Sequence, residues 1–294
     1  MGVVAALSQT FSYFYTRLFV LREHGGVLKL MVLGHVLMGV MSLIALAILL
    51  PFYKLGPVHT FFWPLMGATL FYLLGQLVFF IALRFTEASR TAPLLGLKVV
   101  MLALITTLFM DAHLAGLQWA AVILAVLAAF AINFTGGTIP WPGLLAAVGA
   151  CLPYCLSDLS IVKLVETLGP VGSWHAPLLA VSMCYALSGV VALAIVPWMG
   201  MGTRQDYKYV VPFSAFWFAA MVLLFACFAL IGAVYGNIVQ SMRGLMTVIV
   251  GAHLASMGLA HIEQRTSVRI LVQRIAGAAM MVAAIALYTI SSHW

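Results

Sequence analysis

Residues 82–101, ALRFTEASRTAPLLGLKVVM, close one apolar span, turn through a short charged junction and open another at Pro93. They then place Lys98 inside a segment that otherwise reads as membrane. A similar stretch recurs at residues 228–245, FALIGAVYGNIVQSMRGL, with Arg243 in the corresponding position. The rest of the chain reads as two halves built around these two junctions.

Only 7% of the 294 residues are charged and 65% are hydrophobic. Water-soluble domains carry about 25% charged residues, so this surface does not face water. Apolar runs of about twenty residues recur from end to end, each long enough to cross a hydrocarbon layer about 30 Å thick. A transmembrane β-barrel needs shorter, alternating segments, which are absent from the pattern. No stretch is long and polar enough for a soluble catalytic head. The opening Met1-Gly2-Val3-Val4 lacks a cationic leader and reads as the start of the first span. The net charge of +7 is dispersed, which fits topology signals and no nucleic-acid surface.

The spans fall at approximately 2–20, 30–51, 59–83, 92–110, 114–133, 142–162, 174–196, 210–232, 238–259 and 270–290. Gly, Pro and charged residues mark the short connections, as in a bundle of sequential antiparallel neighbours. The end of the first span, SYFYTRLFVL, resembles the end of the sixth, LSDLSIVKLV. The offset is roughly 145 residues, the fixed period of an internal repeat. Five spans per half invert the second half relative to the first. The expected fold is therefore an all-α polytopic membrane protein of about ten transmembrane helices in two inverted five-helix repeats, 1–137 and 138–294. Lys and Arg gather on one side of this topology, which by the positive-inside rule is cytoplasmic and leaves both termini outside.

Ionisable groups inside spans are costly and are functional candidates by default. Counted from Pro93, Lys98 lies roughly 7–8 Å along its helix, and Arg243 about as far into the ninth span. In inverted halves the two bases enter from opposite faces and can meet in a shared cavity that grips a carboxylate or phosphate. The alternatives are snorkelling to the interface and an internal ion pair with Asp158. Asp158 itself reads as a proton-coupling carboxylate, a structural charge partner or a solvated group. Tyr13, Gln76, Tyr154, Tyr235 and Gln240 are the further candidates for lining the cavity, with Gln9 and Asn237 beside them. Each has packing or helix linking as its plainer alternative.

Cys151, Cys155, Cys184 and Cys227 all fall in apolar spans and read as small packing residues. His35, His175 and His253 stand alone, so neither metal nor cofactor is expected. Gly232 and Gly236 form a G-x-x-x-G, a weak signal for close helix approach. No phosphate loop, His-Glu-x-x-His or paired carboxylates occur, so enzymatic work and ATP-driven pumping are not expected.

The pattern of spans resembles the EamA-type transporters of the drug/metabolite transporter superfamily. The resemblance covers nearly the whole chain. It is clearest at Ala82-Leu83-Arg84-Phe85-Thr86-Glu87-Ala88-Ser89, at Asp111 and Glu263 before the fifth and tenth spans, and at Arg274-Ile275-Ala276-Gly277-Ala278. It departs at Met110-Asp111, where relatives often carry a Gly-Glu pair. The resemblance implies alternating-access transport of a small metabolite or drug; some such relatives, which carry phosphorylated or nucleotide-linked sugars, use basic residues on the helices equivalent to those of Lys98 and Arg243. It also implies cytoplasmic termini, against the charge count. The resulting expectation is a multi-pass protein of the cell (inner) membrane, monomer or homodimer. Its partners would be the lipid bilayer and a small anionic organic metabolite. Flipping of a lipid-linked substrate, efflux of neutral or cationic compounds and a non-transporting scaffold are the alternatives.

Overall fold

Nine α-helices and no strand occur among the described residues of the computed structural model. These are residues 1–22, 26–82, 85, 95–111, 113–133, 140–172, 174–243, 246, 250 and 268–291. The helices are α1 (Gly2–Arg22), α2 (Gly26–Leu49), α3 (Val58–Ala82), α4 (Leu97–Phe109), α5 (Gly116–Asn133), α6 (Trp141–Thr167), α7 (His175–Met199), α8 (Arg204–Gln240) and α9 (Val268–Ser291). In hydrocarbon every backbone N–H and C=O needs a partner within its own segment, which a helix supplies and an open strand does not. Pro51, the Gly56-Pro57 pair and the Gly169-Pro170 pair mark the stops between helices.

Among the described residues five helices are long and apolar enough to cross a membrane: α2 with its 3-10 extension to Phe52, α3, α6, α7 and α8. Shorter apolar runs follow at Leu97–Phe109, Gly116–Ala128 and Ala279–Tyr288. The expected ninth span lies largely outside the described residues. The outer faces carry the same message as the lengths. Along α2, Val40, Leu43, Ile44 and Ile48 are exposed, while His35, Met38, Gly39 and Ser42 on the other face are buried. A helix that is apolar on its exposed face as well as its buried one is solvated by lipid, not water. Phe52, Phe109, Trp141, Trp174 and Trp198 are all more than half exposed and stand at helix ends. That is where aromatic rings settle at the headgroup level.

The chain divides into two compact units. The first comprises residues Met1–Leu73 and Leu156–Ile231, the second Leu74–Cys155 and Gly232–Trp294. Each takes chain from both expected sequence repeats. In the first unit α2 packs along α7. Their backbones nearly touch, for a Cβ added to Gly39 would lie 2.7 Å from the Cα of Gly189. Small residues at such crossings let dispersion contacts form where lipid offers no hydrophobic drive. Hydroxyls then link neighbouring helices. Ser12 donates to the Phe213 carbonyl at 3.1 Å, Ser214 to that of Gly34 at 3.3 Å and Ser157 to that of Ala68 at 2.8 Å. In the second unit α5 packs along α9, and Gln273 donates to the Ala131 carbonyl at 3.0 Å.

α8 is two helical pieces. At Gly232 the backbone has φ 75° and ψ 170°, outside the helical region. A Cβ there would meet nothing within 4 Å. The G-x-x-x-G reading of close helix approach is therefore replaced at Gly232 by a backbone requirement, because only glycine adopts that conformation without strain.

Candidate functional site

Six of the predicted residues, Gln76, Lys98, Tyr154, Tyr235, Gln240 and Arg243, belong to the second unit, and Tyr13 and Asp158 to the first. In the second unit Lys98 and Tyr154 come together. The Lys98 ammonium lies 5.5 Å from the centroid of the Tyr154 ring, within the reach of a cation–π attraction. The next residue of α6, Cys155, directs its thiol at the Lys98 carbonyl at 3.4 Å. α4 begins at Leu97, after a 3-10 turn at Leu95-Gly96. Lys98 is the second residue of this α-helical run, and Pro93, from which its depth along the span is counted, lies outside the described residues. Lys98 is half-buried.

Tyr235 stacks on Tyr288 of α9, with ring centroids 5.1 Å apart and planes at 19°. Gln76 and Gln240 are buried. Arg243 is half-buried just past the turn that ends α8, where Ser241 donates to the Asn237 carbonyl. How far it stands into the expected ninth span falls outside the described residues. In the first unit Asp158 is buried in α6, and the Tyr13 ring meets Trp217 edge-on at 5.8 Å.

The first unit also holds a polar chain that periodicity did not single out. His35 Nδ1 lies 2.7 Å from the Met31 carbonyl, and His35 Nε2 3.0 Å from the Tyr72 hydroxyl. The Tyr72 and Tyr185 hydroxyls are hydrogen-bonded, and the Trp217 indole donates to Tyr185 at 2.8 Å. A carbonyl only accepts and an indole only donates, so with a neutral His35 the ends fix the direction. Trp217 donates to Tyr185, Tyr185 to Tyr72 and Tyr72 to His35, whose other nitrogen donates to Met31. Every group is satisfied with His35 neutral. His35 is thus a hydrogen-bonded core residue, the plain reading of a lone histidine.

A second missed feature is Asp206, in the first turn of α8. Thr203 and Asp206 cap the helix reciprocally: the Thr203 N–H donates to the carboxylate at 2.7 Å, and the Asp206 N–H to the Thr203 hydroxyl at 3.3 Å. The same carboxylate pairs with Lys29 of α2 at 2.8 Å. Thr203-x-x-Asp206 is the signature of a capping box, and so was legible in the sequence. An open crevice of about 240 Å³ lies between Val162, Glu166, Gly169, Ala176 and Leu230. None of the predicted site residues lines it. No group of three or more His, Cys, Asp or Glu suited to a metal occurs among the described residues.

No protein-family model matches the chain, and no curated protein does. One solved chain, described only as "Crystal structure of protein", superposes with a TM-score of 0.62 at 14% sequence identity. The match covers 97% of this chain and 98% of that one. The likeness shows the fold alone. Of the residues that carry the EamA-type resemblance, most of the 82–89 junction and Glu263 lie outside the described residues. Asp111 is described and has φ 52°, the left-handed conformation. Gly, Asn and Asp tolerate that conformation best at the end of a helix.

Proposed function

We propose that the chain is a secondary transporter. It moves a small anionic organic metabolite across the membrane by alternating access, through two inverted five-helix halves of the EamA type. One observation carries this reading: Lys98, a half-buried cation in the first turn of an apolar helix, with an aromatic ring 5.5 Å from its ammonium. Ionisable groups inside apolar helices are functional candidates by default, and a lysine ammonium supplies a point charge for a carboxylate or phosphate. Arg243 supplies the second base, able to grip a carboxylate or phosphate with two parallel hydrogen bonds. The lipid-facing surfaces and the whole-chain likeness in fold to a solved chain are compatible with such a carrier.

The test is counterflow of radiolabelled phosphate, succinate and other small anions in proteoliposomes. At least one anion is expected to be taken up by the wild-type chain and lost in Lys98→Gln and Arg243→Gln. Uptake with unchanged affinity in both variants removes the anion grip. Uptake of cations or neutral compounds alone removes the substrate class.

A further inference from the structure

We propose that the crevice at the end of α6 holds a phosphatidylethanolamine, with an acyl chain against its apolar walls and the headgroup ammonium on Glu166. The walls come from three helices of the first unit: Val162, Val165 and Glu166 of α6, Ala176 of α7, and Ala229 and Leu230 of α8. α6 ends at Thr167, and the exposed Trp174 stands just beyond the Gly169-Pro170 stop. An exposed tryptophan at a helix end marks the headgroup level. Val162 lies one turn before Glu166 on the same face of α6. The crevice therefore runs from a carboxylate at headgroup level to an apolar wall on the hydrocarbon side. Its edge at Leu230 is exposed and opens towards lipid.

Charge selects the headgroup. The Lys163 ammonium lies 3.2 Å from the Glu166 carboxylate, and both side chains are well exposed. Such a pair is worth little, so exchanging it for ligand contacts costs little. Two opposite charges side by side match the two charges of a zwitterionic headgroup, the carboxylate taking its ammonium and Lys163 its phosphate. A primary ammonium carries three N–H donors for a carboxylate. The trimethylated nitrogen of phosphatidylcholine carries none. Phosphatidylglycerol brings no cation and sets its charge beside an acid. In hydrocarbon a chain gains nothing from leaving water, but it gains dispersion contacts wherever it fills a hollow between helices.

The experiment is native mass spectrometry of the purified full chain in detergent. The chain is given equimolar phosphatidylethanolamine, phosphatidylcholine and phosphatidylglycerol with the same acyl chains. The wild type is expected to retain one phosphatidylethanolamine about fivefold more often than either other lipid. Glu166→Gln is expected to level phosphatidylethanolamine with phosphatidylcholine. Ala229→Phe, which fills the crevice from an exposed position, is expected to lower the retained phosphatidylethanolamine to the level of the other two. Val190→Phe, on the exposed face of α7 and outside the crevice, should retain it as the wild type does. Equal retention of the three lipids by the wild type overturns the proposal, and so does a preference for phosphatidylglycerol. A preference that survives Glu166→Gln or Ala229→Phe overturns it too, as does equal loss in Ala229→Phe and Val190→Phe, the mark of lipid held only in the general surround. If Ala229→Phe fails to fold, Glu166→Gln, changed only at an exposed carboxylate, decides alone.

Discussion

At Asp206 one carboxylate oxygen receives the Thr203 N–H at 2.7 Å and the Lys29 ammonium at 2.8 Å. The first contact closes the N-terminus of α8, and the second ties α8 to α2. Asp206 is buried and Lys29 is only partly exposed, so the pair is shielded from the screening that makes surface ion pairs weak. Asp206→Asn keeps an oxygen for the cap but loses the ion pair. It is expected to cost about 1–3 kcal/mol, read as a lower Tm in detergent. An unchanged Tm would mean that the pair contributes no more than an exposed one. By contrast Lys163 and Glu166, one turn apart at 3.2 Å and both well exposed, are expected to add little. The half of this arrangement carried by Thr203-x-x-Asp206 is local and can be read along the chain. The Lys29 partner cannot, because only the packing of α2 beside α8 brings it near. The same limit applies to Lys98. Its unusual setting shows in the sequence, but the Tyr154 ring beside it depends on α6 packing against α4.

α2 and α7 meet at Gly39 and Gly189, where even one added methyl group would press on backbone. Backbone yields far less readily than a side-chain tip, and overpacking a tight contact costs about 1–3 kcal/mol. Gly189→Val is expected to lower Tm by at least as much as Gly189→Ala, while Val190→Ala, on the exposed lipid face one residue on, should leave it nearly unchanged. Equal effects at the two positions would mean that the helices do not cross there. Most helices were legible as elements. The expected spans at 30–51, 59–83 and 174–196 lie within a few residues of α2, α3 and α7, because Gly and Pro interrupt long apolar runs at their ends. The described part of α4 begins at Leu97 behind a 3-10 turn, and Pro93, expected in the first turn of that span, lies outside the described residues. The expected end of the eighth span, residue 232, coincides with the break at Gly232, and residues 233–240 resume as helix a few residues before the expected start of the ninth span at 238.

Across the whole chain the two compact units exchange segments, at residues 73/74 in α3, 155/156 in α6 and 231/232 in α8. The last of these coincides with the non-helical Gly232. Any other residue there is strained by about 1–3 kcal/mol. Gly232→Ala is therefore expected to slow anion uptake several-fold while leaving phosphate affinity in detergent as it was, the pattern of a changed conformational step. Uptake at the wild-type rate would mean that the break is not used during transport. The sequence could not foretell this division, because contact between distant segments defines it and no run of composition marks it. The placing of the aromatic residues has an optical consequence. Trp141, Trp174 and Trp198 stand exposed at helix ends, whereas Trp217 is enclosed by Tyr13, Tyr185 and Phe213. In vesicles whose lipids carry bromine near the headgroup, the emission of the first three should be quenched. The emission of Trp217 should survive, shifted to the blue, and Trp217→Phe should remove that part. The protein would then carry its own gauge of depth, readable without a label.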